Sequence, residues 1–73
     1  MDTETYFIIY PQGDRSRISV VGLTPHMLYE ITDYALASRK EFWNDHDGAI
    51  DYAKELAKEN GKIYEGDGDG YLD

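Results

Sequence analysis

A histidine between two carboxylates is the residue combination in this sequence that most directly suggests chemistry. His46 lies between Asp45 and Asp47, and such a group is able to ligate a metal or act as a general base. Consecutive residues at a helix start point in different directions, however, so these three side chains are not expected to converge. The second imidazole, His26, follows Pro25 and is expected in a first helical turn. Neither histidine is predicted to form a site.

Nucleophilic and phosphate chemistry have no matching residues. The chain has no cysteine, and none of its three serines lies in a G-x-S-x-G turn. Gly66, Gly68 and Gly70 alternate with acidic residues, which would repel a phosphate. We therefore predict a non-enzymatic protein with no catalytic residue, no cofactor and no metal ligand.

The stretch 65–73 is rich in glycine and acid. The spacing of Glu65, Asp67 and Asp69 resembles the first ligands of an EF-hand calcium loop. The resemblance departs from that family because a stop signal at Gly61 precedes the loop where an incoming helix should run. We expect a mobile acidic tail, and weak metal binding remains an alternative function.

The net charge of −8 is unevenly distributed. Residues 1–43 carry six acids and four bases, which is a net −2, whereas residues 44–73 carry nine acids and three bases, which is a net −6. A negative field repels nucleic acid and anionic membranes and attracts basic proteins. With no apolar run long enough for a bilayer, no apparent secretory signal and no cysteine, we expect a cytoplasmic location.

Helical spacing brings several acidic residues onto one face. Asp51, Glu55 and Glu59 recur at every fourth position of the segment 45–61, interrupted at neighbouring positions by lysines. Tyrosine is enriched in interfaces, and the candidate interaction surface therefore also includes Tyr64 and Tyr71. We predict a small acidic protein-interaction module or regulator. The alternatives are a DNA mimic that inhibits a nucleic-acid-binding protein and a structural homo-oligomer.

The segment 45–61 is itself predicted as an amphipathic helix. Its apolar stripe contains three alanines spaced four residues apart and three larger residues: Ala49, Ala53, Ala57, Ile50, Tyr52 and Leu56. Asn44 is predicted to cap its start and Asn60-Gly61 to end it. Three alanines indicate that the helix lies close on a sheet. The pattern resembles many small αβ proteins, including phage and prophage ones, and this generic likeness implies no residue-level function.

Two strands precede this helix. Residues 4–10 are apolar on both faces, which predicts an inner or covered strand, and residues 16–23 form its hairpin partner after a turn at 11–14. An apolar strand of this kind would also pair between subunits, which motivates the homo-oligomer. Lys62 to Tyr64 is a candidate short strand at the sheet edge.

Residues 25–42 fit two structures. Thr24-Pro25 is able to open a helix that runs to about residue 39, or the helix is short, near 25–31, and residues 33–42 form a third strand. We favour the strand, because three strands make a better platform for the long helix. One or both of Phe42 and Trp43 are then predicted to close the end of the core, with core favoured for Trp43 and a surface role as its alternative.

The predicted fold class is therefore α+β. A small antiparallel sheet, made of the N-terminal hairpin and a third strand, packs against one amphipathic C-terminal helix, with a short extra helix near 25–31. One domain covers residues 1–64, and residues 65–73 form the acidic tail.

Overall fold

The computed structural model describes residues 4–65, which form a four-stranded sheet with a helix on each face. The elements in chain order are β1 Thr5–Tyr10, a 3₁₀ turn Pro11–Gly13, β2 Arg17–Leu23, a long 3₁₀ helix Pro25–Asp33, β3 Ala35–Trp43, α1 His46–Glu59 and β4 Ile63–Tyr64. The strand order is β3-β1-β2-β4. The predicted α+β class is confirmed, including the third strand, and the extra helix predicted near 25–31 is the 3₁₀ helix Pro25–Asp33.

β1 is an inner strand, which is one of the two positions that its apolar faces predicted. It pairs antiparallel with β2, with Ile8 opposite Val20, and antiparallel with β3, with Tyr6 opposite Phe42. The edge strand β4 pairs parallel with β2, because α1 returns the chain to the sheet end where β2 begins. The sheet is therefore mixed, and its three longer strands are antiparallel.

Each face of the sheet has its own core. The core on the α1 side consists of buried residues from β1, β2 and α1, namely Ile8, Ile18, Val20, Ala49, Ala53 and Ala57. On the opposite face, Phe7, Ile9, Val21 and Leu23 pack under Met27, Ile31 and Tyr34 of the segment that contains the long 3₁₀ helix. Both apolar faces of β1 are thus covered within the chain.

The ends of α1 explain its length. Asp45 is the N-cap, and its carboxylate accepts a 3.0 Å hydrogen bond from the Gly48 amide. The prediction that Asn44 caps the helix is wrong, because the Asn44 amide still donates to the carbonyl of Glu4 and its φ of 54° turns the chain away from β3. At the other end, Gly61 has a φ of 65°, as the predicted stop requires.

β3 contains a large bulge. Phe7 pairs with Glu41 and Ile9 with Leu36, so the single residue Ile8 of β1 faces the four residues 37–40 of β3. A bulge makes an edge strand a poor template for pairing with another chain.

Trp43 does not enter the core. It pairs with Thr5 on the face away from α1 and is 70% exposed. Successive residues of a strand point to opposite faces, so only Phe42 reaches the α1 side, where its ring lies 5.4 Å from that of Tyr52. The preference for Trp43 as a core residue is wrong.

Among residues 4–65, no helix has the length and apolarity needed to cross a membrane.

Replacing Gly22 by alanine is expected to destabilise the fold. A Cβ at this position would lie 2.5 Å from Cε1 and 2.8 Å from Cδ1 of Tyr6, whose ring stacks on His46 at 4.8 Å and whose hydroxyl donates to Glu4. We expect Gly22→Ala to lower the free energy of unfolding by about 1–3 kcal/mol in urea denaturation. The loss should shrink in a Tyr6→Ala background, because the clash is then removed. Equal losses in both backgrounds would contradict this explanation.

Asp14 is expected to make stability depend on acidic pH. The Ser16 hydroxyl and amide donate to its carboxylate at 2.6 and 3.0 Å, and these bonds, aided by Arg17 and Lys62, hold the pKa of Asp14 below its ordinary value of 3.8. A carboxyl whose pKa is lowered by folding stabilises the fold above its unfolded pKa and loses that effect as the pH falls through the folded pKa. The Tm of the parent protein should therefore exceed that of Asp14→Asn at neutral pH, and the gap should close below pH 3.8. A gap that is constant with pH would refute the assignment.

Candidate interaction surface

Three of the predicted interaction residues form one continuous strip. Asp51, Glu55 and Glu59 are exposed on α1, and a spacing of four residues places them side by side on a helix surface. They lie opposite the buried alanines that face the sheet. We call these three residues the acidic ridge.

The acidic ridge is not neutralised by nearby bases. Within residues 4–65 the ion pairs join Arg17 to Asp14 and to Glu65, and no ridge carboxylate takes part in an ion pair or a side-chain hydrogen bond. The ammonium of Lys54 instead lies 5.7 Å from the ring centroid of Tyr64. The ridge carboxylates are therefore exposed to solvent without a direct ionic partner among the described residues.

A shallow groove of about 140 Å³ runs along one side of the ridge. It is lined by two apolar and two acidic side chains of α1: Tyr52, Leu56, Glu55 and Glu59. The Tyr52 ring packs on Phe42, and its hydroxyl lies 3.5 Å from the Ser38 hydroxyl. An apolar floor beside carboxylates suits a lysine or arginine side chain, which has an apolar stem and a charged head. We call this feature the side groove.

Sequence reasoning missed the two apolar members of the side groove. The periodicity predicts Tyr52 and Leu56 in the buried stripe of the helix, but Ala49, Ala53 and Ala57 are its fully buried residues. Tyr52 is 36% exposed. The one signal for this in the sequence is size, since large residues beside an alanine stripe are displaced to its margins.

Of the two predicted tyrosines, Tyr64 lies apart from the acidic ridge. Tyr64 is half-buried on β4, beside Lys54. Tyr52 lies on the side of α1 nearer β3, where it contacts Phe42. At 100° per residue, Lys54 and Tyr52 lie on opposite sides of the ridge. Tyr71 lies outside the described residues.

The acidic and imidazole groups do not assemble into a metal centre within residues 4–65, where no group of three or more histidine, aspartate or glutamate side chains is arranged to hold an ion. His46 stacks on Tyr6, and Asp45 caps α1. Of the predicted acidic tail, Glu65 is described: its amide donates to the carbonyl of Ile18. The rest of the tail, with its EF-hand-like spacing, lies outside the described residues.

Comparison with known proteins adds no relative. No family model matches the chain, and no curated protein sequence or solved structure does so either. The geometry of the described residues is therefore the basis for the functional proposal.

Glu59 is expected to lower the stability of the fold at its position in α1. It is the last residue of α1, where the helix dipole favours a cation, and it lies four residues from Glu55. Glu59→Lys replaces two unfavourable interactions by favourable ones, and we expect the Tm to rise by about 4 °C in a thermal melt.

Two variants control for general charge effects on this helix. Glu59→Gln should give a smaller rise, because it removes the repulsion without adding an attraction. Asp47→Lys in the first turn should lower the Tm, because the dipole has the opposite sign there. A fall in Tm for Glu59→Lys would show that Glu59 has a stabilising partner.

Proposed function

We propose that this chain is a small, non-enzymatic protein-interaction module or regulator whose acidic ridge and side groove bind a basic protein. The observation that carries the proposal is the pairing of three unneutralised carboxylates with an apolar groove on the same exposed helix surface. The absence of cysteine is compatible with a reducing cytosol, and we place the module there.

The acidic ridge and the side groove have complementary roles in this proposal. The ridge charge attracts a basic surface at long range and accelerates encounter. The side groove then takes the stem of a lysine or arginine over Tyr52 and Leu56, with the cationic head near Glu55 and Glu59. The unfavourable position of Glu59 for helix stability supports a role outside folding.

A DNA-mimic inhibitor fits the described residues less well. The ridge carries three carboxylates over about 12 Å of helix axis, whereas duplex DNA carries one charge for about every 1.7 Å of its axis. Lys54 and Lys58 dilute the charge further, and Glu65 is engaged by Arg17. We therefore favour a basic protein surface as the target over a groove shaped for DNA.

Self-association through strand pairing also receives little support. The two apolar faces of β1 motivated that hypothesis, and α1 and the long 3₁₀ helix cover them. The outer edge of β3 carries the bulge at 37–40 and the exposed charges of Arg39, Lys40 and Glu41. Charged, bulged edges disfavour pairing between chains.

Binding to the captured partner is expected to depend on the ridge. The probe is the full chain immobilised on a resin, and the partner is identified from host lysate and then titrated in purified form. We expect the triple variant Asp51→Asn, Glu55→Gln, Glu59→Gln to bind it at least about tenfold more weakly and with a smaller dependence on salt.

A matched triple variant tests whether position or total charge matters. Glu30→Gln, Asp33→Asn and Glu41→Gln remove the same charge away from α1 and should leave the affinity nearly unchanged. Equal losses in both triples would refute a localised surface. Competition by duplex DNA for a nucleic-acid-binding partner would instead support the DNA mimic.

A further inference from the structure

A second concave site lies away from the side groove, beyond the end of the β1–β3 ladder. Tyr10, the last residue of β1, pairs with Ala35, the first residue of β3. The chain segments beyond this pair diverge and leave a cavity of about 430 Å³, a volume typical of small-molecule sites. Its lining consists of Tyr10, Gln12, Gly13, Asp33, Tyr34 and Ala35. We call it the end cavity.

The polar groups of the end cavity are free to bind a ligand. In the part of the chain that the structure describes, neither the Asp33 carboxylate nor the Gln12 amide has a side-chain hydrogen bond or an ion pair, and both residues are exposed. A carboxylate accepts several hydrogen bonds, and a primary amide both donates and accepts. This combination matches a ligand that carries several hydroxyl groups.

The two tyrosines that line the end cavity are held in place by contacts with other parts of the fold. Tyr34 packs against the core formed by Phe7, Ile9, Val21 and Leu23. The Tyr10 ring has the cationic groups of Arg15 and Lys62 at 5.2 and 5.3 Å from its centroid. The aromatic surfaces are therefore positioned before any ligand arrives, which lowers the entropy cost of binding.

The backbone at the cavity rim is strained. Gln12 adopts a φ of 54° and a ψ of 25°, a left-handed conformation that costs a residue with a side chain on the order of 1 kcal/mol or more. Glycine adopts it at little steric cost. A glutamine here is therefore unfavourable for folding.

Charge around the end cavity selects a neutral ligand. Asp33 lines it and the ionised Asp14 follows the turn, while Arg15 and Lys62 flank the Tyr10 ring. Asp14 is also paired with Arg17, so charges of both signs lie on this side of the fold and leave no strong field of either sign. A multiply charged ligand therefore gains little here, in contrast to the acidic ridge.

We propose that the end cavity binds a neutral sugar, of the size of a mono- or disaccharide. The carboxylate of Asp33 accepts from two neighbouring hydroxyls, the Gln12 amide donates to one hydroxyl and accepts from another, and the C–H face of the ring packs on Tyr34. A site built around such hydrogen bonds discriminates between ligands by their hydroxyl pattern.

Amide NMR spectroscopy of the full ¹⁵N-labelled chain tests the proposal directly. The probes are the methyl glycosides of glucose, galactose, mannose and N-acetylglucosamine, with maltose and lactose, each added to ~50 mM so that weak sites are filled. We expect at least one sugar to give saturable shifts in residues 12–13 and 33–35 and none in residues 51–59 of α1.

Variants separate ligand contacts from folding. Asp33→Asn should weaken the binding of that sugar about tenfold, as expected for loss of a charged hydrogen-bond acceptor, whereas Asp51→Asn on the acidic ridge should not change it. Gln12→Gly should raise the Tm by relief of strain and still weaken sugar binding. Unchanged affinity in both Asp33→Asn and Gln12→Gly would overturn the assignment.

The same titration contains probes of other ligand classes. n-Butylamine and methylguanidinium test for a cation site, inorganic phosphate for an anion site, and adenosine and guanosine for a planar base. Saturable shifts in residues 12–13 and 33–35 with one of these and with no sugar would overturn the proposal. An absence of shifts with the whole sugar panel would do so as well.

Discussion

The burial of β1 on both faces is the constraint on which the rest of the structure depends. In a chain of 73 residues, a single layer on one side of a sheet would leave half of the apolar strand surface in water. The long 3₁₀ helix covers Phe7 and Ile9, and α1 covers Ile8. Runs of 3₁₀ helix longer than three or four residues are uncommon, and here tertiary packing holds one of nine residues in place.

The side groove follows from the same constraint. Ala49, Ala53 and Ala57 allow α1 to approach the sheet closely, and close approach leaves no space beneath the helix for a larger side chain. Tyr52 and Leu56 are therefore displaced to the flank, where Phe42 supports Tyr52. A helix with leucines in place of these alanines would stand further from the sheet and bury those residues. The small-residue stripe thus shapes an outer surface as well as the core.

Much of the fold was predictable because it rests on local patterns. The hairpin, the inner position of β1, the extent of α1 and the acidic ridge all follow from side-chain periodicity. Residues 35–40 have helix-forming composition and become a strand because pairing with β1 overrides local preference. Trp43 and the side groove were missed, because each depends on which face of the sheet a neighbour covers. Tyr64 lies apart from the ridge because β4 pairs with β2 at the edge of the sheet.

The distribution of the bases explains why the acidic ridge keeps its charge. Four of the seven lysines and arginines have their cationic groups over aromatic rings, namely Arg15, Lys40, Lys54 and Lys62. Arg17 pairs with acids at the hairpin end of the sheet. Exposed contacts of a cation with a ring contribute about 0.5–1 kcal/mol each, comparable to a surface ion pair. The tyrosine-rich composition therefore engages bases that would otherwise pair with carboxylates, and the helix surface stays negative without loss of side-chain contacts elsewhere.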